Sequence, residues 1–277
     1  ISSPKPSEVF KKRLDYIVDL IKGRKKSNDG MIFADDKFNI DCVNYLNILT
    51  REFSNDTSPL NSFLTACAHG DIRLSLDLFS SFLLSGYTNV DEMIGSGHWT
   101  FKIHQVIKPV MVPTRYFYDE HLSDIPNVFQ IRSPRHGSHF TSLRILRKIS
   151  KGVDISSPAY FSVAELRAYF AETFRMAEDF ENNLDVLLKH GFIESNNRLD
   201  YFSPLVDSVK ITNYGLYVYQ DLAFYFTYLD LLCTDCGIFD LQVSNYLAEA
   251  AKTEYSYFTK HEKVERIKVR LDRVERF

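Results

Sequence analysis

The sequence has no long apolar run and no segment typical of a signal peptide. Charged residues interrupt its apolar stretches well before the roughly 20 residues that a membrane-spanning helix needs. Its four cysteines are too few for a disulfide framework in a chain of 277 residues. These absences predict a cytoplasmic protein that works in a reducing compartment and does not use a membrane as a partner.

The chain also has little net charge and none of the common catalytic motifs. Lysine and arginine total 33 against 36 acidic residues, so the net charge of −3 draws neither nucleic acid nor an acidic membrane. No Gly-x-Ser-x-Gly, His-Glu-x-x-His or Gly-x-x-x-x-Gly-Lys-Ser/Thr sequence is present. We therefore predict that this chain has no catalytic residue and is not an enzyme by itself.

Two pairs of potential metal ligands occur, but neither is complete. Cys233 and Cys236 have the spacing of half a zinc site or of a redox pair, yet no second such pair exists. We interpret them as packed at the end of an apolar helix. His136 and His139 lie in a basic polar loop without a carboxylate or thiolate nearby in the sequence. The sequence thus predicts no metal site.

The residues that are present indicate a mainly α-helical protein of two or three modules. Hydrophobic residues make up 45% and aromatic residues 14%, which is typical of a globular chain. Apolar residues recur at helical spacing through the first 110 positions. We predict a helical bundle over 1–112, a connecting segment over 113–139, a winged-helix domain with a following long helix over 140–232, and a C-terminal helical tail over 233–277.

The order of elements from 140 to 214 carries the winged-helix prediction. A basic helix, TSLRILRKIS, comes first, and Ser162 with Glu165 forms a capping-box pattern at the start of a second. The third helix ends at His190-Gly191, where glycine tolerates a left-handed cap. The short segments FIE and VKIT follow as two predicted strands. Three helices and a two-stranded wing resemble the winged helix, a variant of the helix-turn-helix.

The first module contains a second resemblance, which begins at Gly70. A helical bundle with Gly-Asp-Ile-Arg at the head of a helix resembles the lid of AAA+ and STAND P-loop ATPases. In that family an arginine at this point, the sensor-2 position, reaches nucleotide phosphates held by a preceding P-loop domain. The resemblance implies this role for Arg73, with Gly70 and Asp71 setting the turn. A guanidinium suits the role because its planar fork binds phosphate oxygens bidentately. The alternative is an ordinary surface arginine.

The resemblance implies that this is the non-catalytic C-terminal region of a P-loop ATPase, and the start at ISSPKPSE without an initiator methionine favours an excised piece. ATP and Mg would bind the N-terminal ATPase domain, which this chain lacks. That domain would be one partner, and another protein or a second copy would be the other. A DNA-binding regulator or replication-initiator-like protein is the main alternative, and a helical scaffold without nucleotide is a third.

The charges of the predicted third helix argue against sequence-specific DNA binding. Four acids face two bases there: Glu178, Asp179, Glu181 and Asp185 against Arg175 and Lys189. Phosphates would be repelled by such a helix. A basic cluster elsewhere is the candidate for weak, non-specific binding to a nucleic-acid backbone. It comprises Arg132, Arg135, Arg144, Arg147, Lys148 and Lys151. We therefore favour a winged helix that binds protein over one that binds DNA.

Three further patterns concern the connecting segment and the C-terminal part. The sequence NVFQI predicts a short strand over 127–131, and NYGLYVYQDLAFYFTYLDLLC predicts one long helix over 213–233. The tail is predicted to be helical from 238 onward. Val264, Ile267, Leu271 and Val274 recur there at helix spacing. This spacing predicts a docked or self-associating helix.

Overall fold

The computed structural model describes residues 4–23, 36–68, 71–96, 99–114, 117–151 and 160–277. The chain divides into two compact units, Ile1–Pro113 and Thr114–Phe277. It is mainly helical, as predicted, with 65% helix and one small three-stranded antiparallel sheet. Within the described ranges, no helix combines the length and the apolar character that crossing a bilayer requires.

In the first unit, every described secondary-structure element is a helix. The helices are α1 (Pro6–Ile21), α2 (Asp36–Ser54), α3 (Pro59–Ala68), α4 (Ile72–Leu84), α5 (Val90–Ser96) and α6 (Ile103–Met111). Three phenylalanine rings join α1, α2 and α4 at the centre. The Phe10 ring centroid lies 4.7 Å from that of Phe53 and 4.8 Å from that of Phe79. Such close aromatic packing places the core of this unit between its longest helices.

Among the described residues of this unit, one carboxyl group is buried. Glu52 on α2 is 5% exposed, and burial raises its pKa above the ordinary value, while hydrogen bonds from Ser58 and the backbone of Phe101 act in the opposite direction. The folded protein therefore holds this proton more tightly than the unfolded chain does. This tighter binding stabilises the folded protein. The stabilisation is fully present below the pKa that Glu52 has in the unfolded chain, and it is lost as the pH rises through the pKa that Glu52 has in the folded protein.

Replacing Glu52 with glutamine should remove this loss, because the amide has no charge to desolvate. We expect the Glu52→Gln variant to gain stability over the native chain as the pH is raised from 4 to 8. Urea unfolding followed by the fluorescence of Trp99, the single tryptophan, measures the effect in this unit. Glu92→Gln, at an exposed site on α5, is the control. Parallel pH profiles for both variants would contradict the expectation.

The second unit begins with three helices and a sheet. They are α7 (Thr141–Ser150), β1 (Phe161–Ser162), α8 (Val163–Phe174), α9 (Ala177–Lys189), β2 (Ile193–Ser195) and β3 (Ser208–Ile211). The strand order is β1-β3-β2, and Val209 of β3 pairs with Phe161 on one side and Ser195 on the other. The two predicted strands are confirmed as β2 and β3. Strand β1 was not predicted, since two residues show no alternation.

The start of α8 and the end of α9 are set by the capping residues that the sequence indicates. The Ser162 hydroxyl accepts a hydrogen bond from the Glu165 amide at 3.3 Å, which is one half of the predicted capping box. Gly191 takes a positive φ of 68° after α9, where a left-handed cap was predicted. Its amide donates to the Leu188 carbonyl, closing the last turn. Arg175 ends α8 in the same way, with a φ of 57°.

The single long helix predicted over 213–233 is wrong. The chain forms α10 (Asn213–Gln220), a 3₁₀ turn (Leu222–Phe224) and α11 (Phe226–Leu232) instead. Asp221 leaves the helical conformation with φ −123° and ψ −62°, and Tyr225 is extended. These two breaks bury both Leu222 and Tyr228 completely. Aromatic residues lie on all sides of the predicted single helix. In the structure Tyr214, Tyr217 and Tyr228 are buried, while Phe224 is exposed.

The strand predicted over 127–131 is also wrong. The Phe129 amide donates to the Asn127 side-chain oxygen at 2.9 Å, and the Val128 amide donates to the Tyr228 hydroxyl at 3.2 Å. These amides are therefore not free for a neighbouring strand. The Tyr228 hydroxyl donates in turn to the Pro126 carbonyl at 2.8 Å. The segment is a turn held against α11.

The tail contains two helices, α12 (Leu241–Thr259) and α13 (Lys263–Arg276). The second of them packs against α11 and α12 through its charged face. Arg273 is 3% exposed and donates to Asp230 and to Glu254, each at 2.8 Å. Arg270 also donates to Asp230. Helix α13 is thus docked, but not through the apolar stripe that the sequence predicted for docking.

Candidate functional sites

The residues proposed to contact a nucleotide lie at the start of α4. The Asp71 carboxylate accepts hydrogen bonds from the amides of Arg73 at 2.8 Å and of Leu74 at 3.2 Å, so it caps the helix. Arg73 is exposed in the first turn and forms no ion pair with any described residue. Gly70 lies outside the described residues. The N-terminal end of α4 therefore presents the Arg73 guanidinium to solvent. The Arg73 and Leu74 amides at this end are already hydrogen-bonded to Asp71.

The basic cluster is divided between two places. On α7, the Arg144 guanidinium lies 4.7 Å from the centroid of the Phe174 ring, and the Lys148 ammonium lies 4.0 Å from that of Tyr169. Arg147 is exposed on the same helix, and Lys151 is exposed directly after its last residue. The helix therefore carries three of the six predicted residues, with a fourth at its C-terminal end, and two of them are positioned by cation–π contacts with α8.

The other two members lie in the segment before α7. Arg135 is exposed there. Arg132 is only 14% exposed in its side chain, forms an ion pair with Glu120 through both carboxylate oxygens, and donates to the Asn127 carbonyl at 3.0 Å. Its guanidinium serves the packing of this segment. We therefore leave Arg132 out of any proposed nucleic-acid surface.

The acids of α9 do not form one exposed face. Asp179 is completely buried and accepts hydrogen bonds from the Ser138 amide at 3.2 Å and from the Thr141 hydroxyl. The neighbouring Asn183 accepts from the Ser142 hydroxyl at 2.7 Å. These contacts join α9 to the beginning of α7. Asp179 thus anchors the segment that leads into α7, although the sequence pattern assigned it to a surface.

Gly137 allows this close approach. A β-carbon at this position would lie 2.5 Å from the Ser133 carbonyl oxygen and 3.2 Å from Asp179 Oδ1. Any other residue would clash with the Ser133 carbonyl and would also crowd Asp179. The sequence showed Gly137 between two histidines, but no local pattern connects it with an acid 42 positions later.

Two more acids of α9 have partners. Glu181 forms an ion pair with Arg167 of α8, and Asp185 accepts a hydrogen bond from the Phe202 amide at 2.7 Å. The latter contact holds the segment between β2 and β3 against α9. Glu178 is exposed. The negative potential on this helix is therefore smaller than four free carboxylates would produce.

Cys236 and His139 meet in the structure, which the sequence did not indicate. Cys236 Sγ lies 3.5 Å from His139 Nδ1 and donates to the Phe129 carbonyl at 3.1 Å. The same carbonyl lies 2.8 Å from His139 Nδ1. Burial raises the pKa of the Cys236 thiol to about 12. A protonated thiol, with the ring nitrogen occupied by a carbonyl, is not an activated nucleophile.

The two cysteines have separate hydrogen-bond partners. Cys233 Sγ donates to the Asp230 carbonyl at 3.2 Å, and burial raises its pKa to about 11. Both thiols are free, and the described ranges contain no group of three metal-ligating side chains. These contacts agree with the interpretation of Cys233 and Cys236 as packed residues.

No family model, curated protein or solved structure matches this chain. Its functional interpretation therefore depends on the residues described above. Among them, the start of α4 and the outer surfaces of α7, α9 and α13 present side chains that a ligand or partner can reach.

Proposed function

We propose that this chain is the nucleotide-responsive, partner-binding region of a P-loop ATPase of the AAA+/STAND kind. In this proposal a separate ATPase domain binds ATP and Mg in the cytoplasm, and this chain supplies no catalytic residue. The observation that supports it is Arg73, exposed in the capped first turn of α4 within a helical unit. An exposed guanidinium can bind phosphate oxygens presented by another domain.

We propose further that residues 141–211 form a winged helix that binds a protein. The order of helix, strand, helix, helix and two strands, with the sheet order β1-β3-β2, supports this arrangement. The outer surface of α9 would be its binding surface. Glu178, Asn182 and Lys189 are exposed there, and their mixed charge suits a protein better than a phosphate backbone.

The role of Arg73 can be tested in the full-length natural protein. If the guanidinium binds a phosphate, Arg73→Ala should weaken ATP binding or slow hydrolysis by about 10- to 100-fold, the effect of one charge-assisted hydrogen bond. Fluorescent-nucleotide titration and phosphate release measure the two quantities. Arg13→Ala, at an exposed position on α1, is the matched control.

Equal effects of the two substitutions, or no effect of either, would contradict the proposal. Residues 1–277 alone should bind ATP no more tightly than millimolar, because Asp71 already occupies the amides at the start of α4. Micromolar binding by isothermal titration calorimetry would show that it holds nucleotide without an ATPase domain.

A DNA-binding regulator is the second candidate, and the basic surface of α7 is the observation that favours it. Binding there should be weak, insensitive to sequence and steeply dependent on salt. Neutralising Arg144, Arg147 and Lys148 together should abolish it, with the salt slope falling by about one for each lost phosphate contact. Fluorescence anisotropy with unrelated duplexes across a salt series measures both effects.

The control for this experiment removes the same charge elsewhere. Lys11, Lys12 and Arg13 on α1 carry three positive charges, so their combined neutralisation changes net charge equally. Only the α7 variant should lose binding. A nanomolar preference for one duplex at physiological salt would contradict the protein-binding proposal and support the DNA-binding candidate.

A further inference from the structure

The apolar stripe of α13 is exposed, although α13 itself is docked. Val264 is 66% exposed, Ile267 54% and Leu271 51%. The positions form an a-d-a pattern with heptad spacing, which Val274 continues. This spacing is typical of helices that pack along a seam against another helix. Among the described residues of the second unit, no helix covers these three side chains.

The buried ion network prevents α13 from turning its stripe inward. The Arg273 side chain is 4% exposed between Asp230, which is 3% exposed, and Glu254. Arg266 binds Glu254 at 3.0 Å, and Arg270 binds Asp230. Rotating the helix to bury the stripe would separate these charges and leave Asp230 unpaired inside the protein. The exposure is therefore a fixed property of the way α13 docks.

We propose that this stripe binds the same stripe of a second copy of the chain, with the two α13 helices antiparallel. In this arrangement Ile267 of each copy packs beside Leu271 of the other, and Val264 packs beside Val274. A two-fold axis relates the copies, so each contact occurs twice. The inference does not depend on the proposed link to a P-loop ATPase.

Charge complementarity favours this occupant and this direction. Lys268 and Glu275 lie along one edge of the stripe, seven positions apart, and both are exposed. Antiparallel pairing brings Lys268 of each copy to Glu275 of the other. Parallel pairing would instead place Lys263 beside Lys268 of the second copy. Arg270, on the opposite edge, is already neutralised by Asp230.

The association should be weak, because the stripe is short. A standard interface uses about 20 to 30 residues on each side, many more than this helix supplies. We expect a dissociation constant between about 10 µM and 1 mM for the isolated chain. Sedimentation equilibrium from 5 to 500 µM should therefore show a monomer of 32.2 kDa passing into a dimer.

A matched pair of leucine substitutions identifies the surface. Leu271→Lys should weaken dimerisation at least tenfold, whereas Leu205→Lys should leave it unchanged. Leu205 is 67% exposed in the segment between β2 and β3, so it matches Leu271 in residue type and exposure. A chain that stays monomeric up to 500 µM would overturn the proposal, as would a dimer that Leu271→Lys does not weaken.

A charge exchange tests the direction of pairing. Lys268→Glu and Glu275→Lys should each abolish dimerisation, because like charges would meet twice across the two-fold axis. The double variant Lys268→Glu/Glu275→Lys should restore it. Circular dichroism of each variant verifies that α13 stays helical, since Lys268 also pairs with Glu265 within the helix at 2.8 Å. A folded double variant that does not dimerise would overturn the antiparallel arrangement.

Discussion

Replacing Arg273 with methionine is expected to lower the free energy of unfolding of the second unit by about 3 kcal/mol, at the low end of the range for breaking a buried ion pair. The substitution leaves Asp230 and Glu254 with fewer partners inside the protein. Arg270 still binds Asp230 and Arg266 still binds Glu254, which limits the loss. Methionine retains much of the volume of the side chain, so a cavity contributes little.

Arg276→Met is the matched control for Arg273. Arg276 is exposed on the same helix and lies 4.9 Å from the centroid of the Tyr246 ring. We expect its replacement to cost less than about 1 kcal/mol. Urea unfolding followed by circular dichroism reports the whole chain, while Trp99 fluorescence reports the first unit. Equal losses for the two variants would show that the Arg273 network contributes little stability.

Replacing Asp179 with alanine should also destabilise the second unit, by about 3 kcal/mol. Two donors would lose their acceptor, the Ser138 amide and the Thr141 hydroxyl, while the Asn183 side-chain amide would keep only its hydrogen bond to the Asp179 main-chain carbonyl. All three donors face the Asp179 carboxylate, which is completely buried. Unfolding in urea, measured as for Arg273, gives the loss. Asp179→Asn retains one acceptor oxygen and should lose less.

Glu178→Ala is the control for Asp179, because Glu178 is the adjacent acid and is exposed on α9. Its removal should change the free energy of unfolding by less than about 0.5 kcal/mol. From the sequence, both acids were expected to repel DNA phosphates. In the structure Glu178 is exposed and Asp179 is buried, so only Glu178→Ala should strengthen weak DNA binding. Equal stability of the two variants would contradict the structural role of Asp179.

The sequence by itself determined the local structure of this protein. Ser162 caps α8, Asp71 caps α4 and Gly191 ends α9, and each of these effects involves residues at most four positions apart. Such interactions are read from sequence because the chain brings their members together wherever a helix forms. The mainly helical class and the strands β2 and β3 followed from the same kind of short-range pattern.

Tertiary structure alone decided which charged residues are buried. The sequence analysis assigned Asp179 and Arg132 to the surface, because an isolated helix or loop exposes its charges to water. Arg273 is buried because Asp230, 43 positions earlier, meets its guanidinium. The same long-range contact turns the apolar stripe of α13 outward. Partners so distant in the sequence are known only after the chain has folded, since burial of a charge depends on the partner that neutralises it.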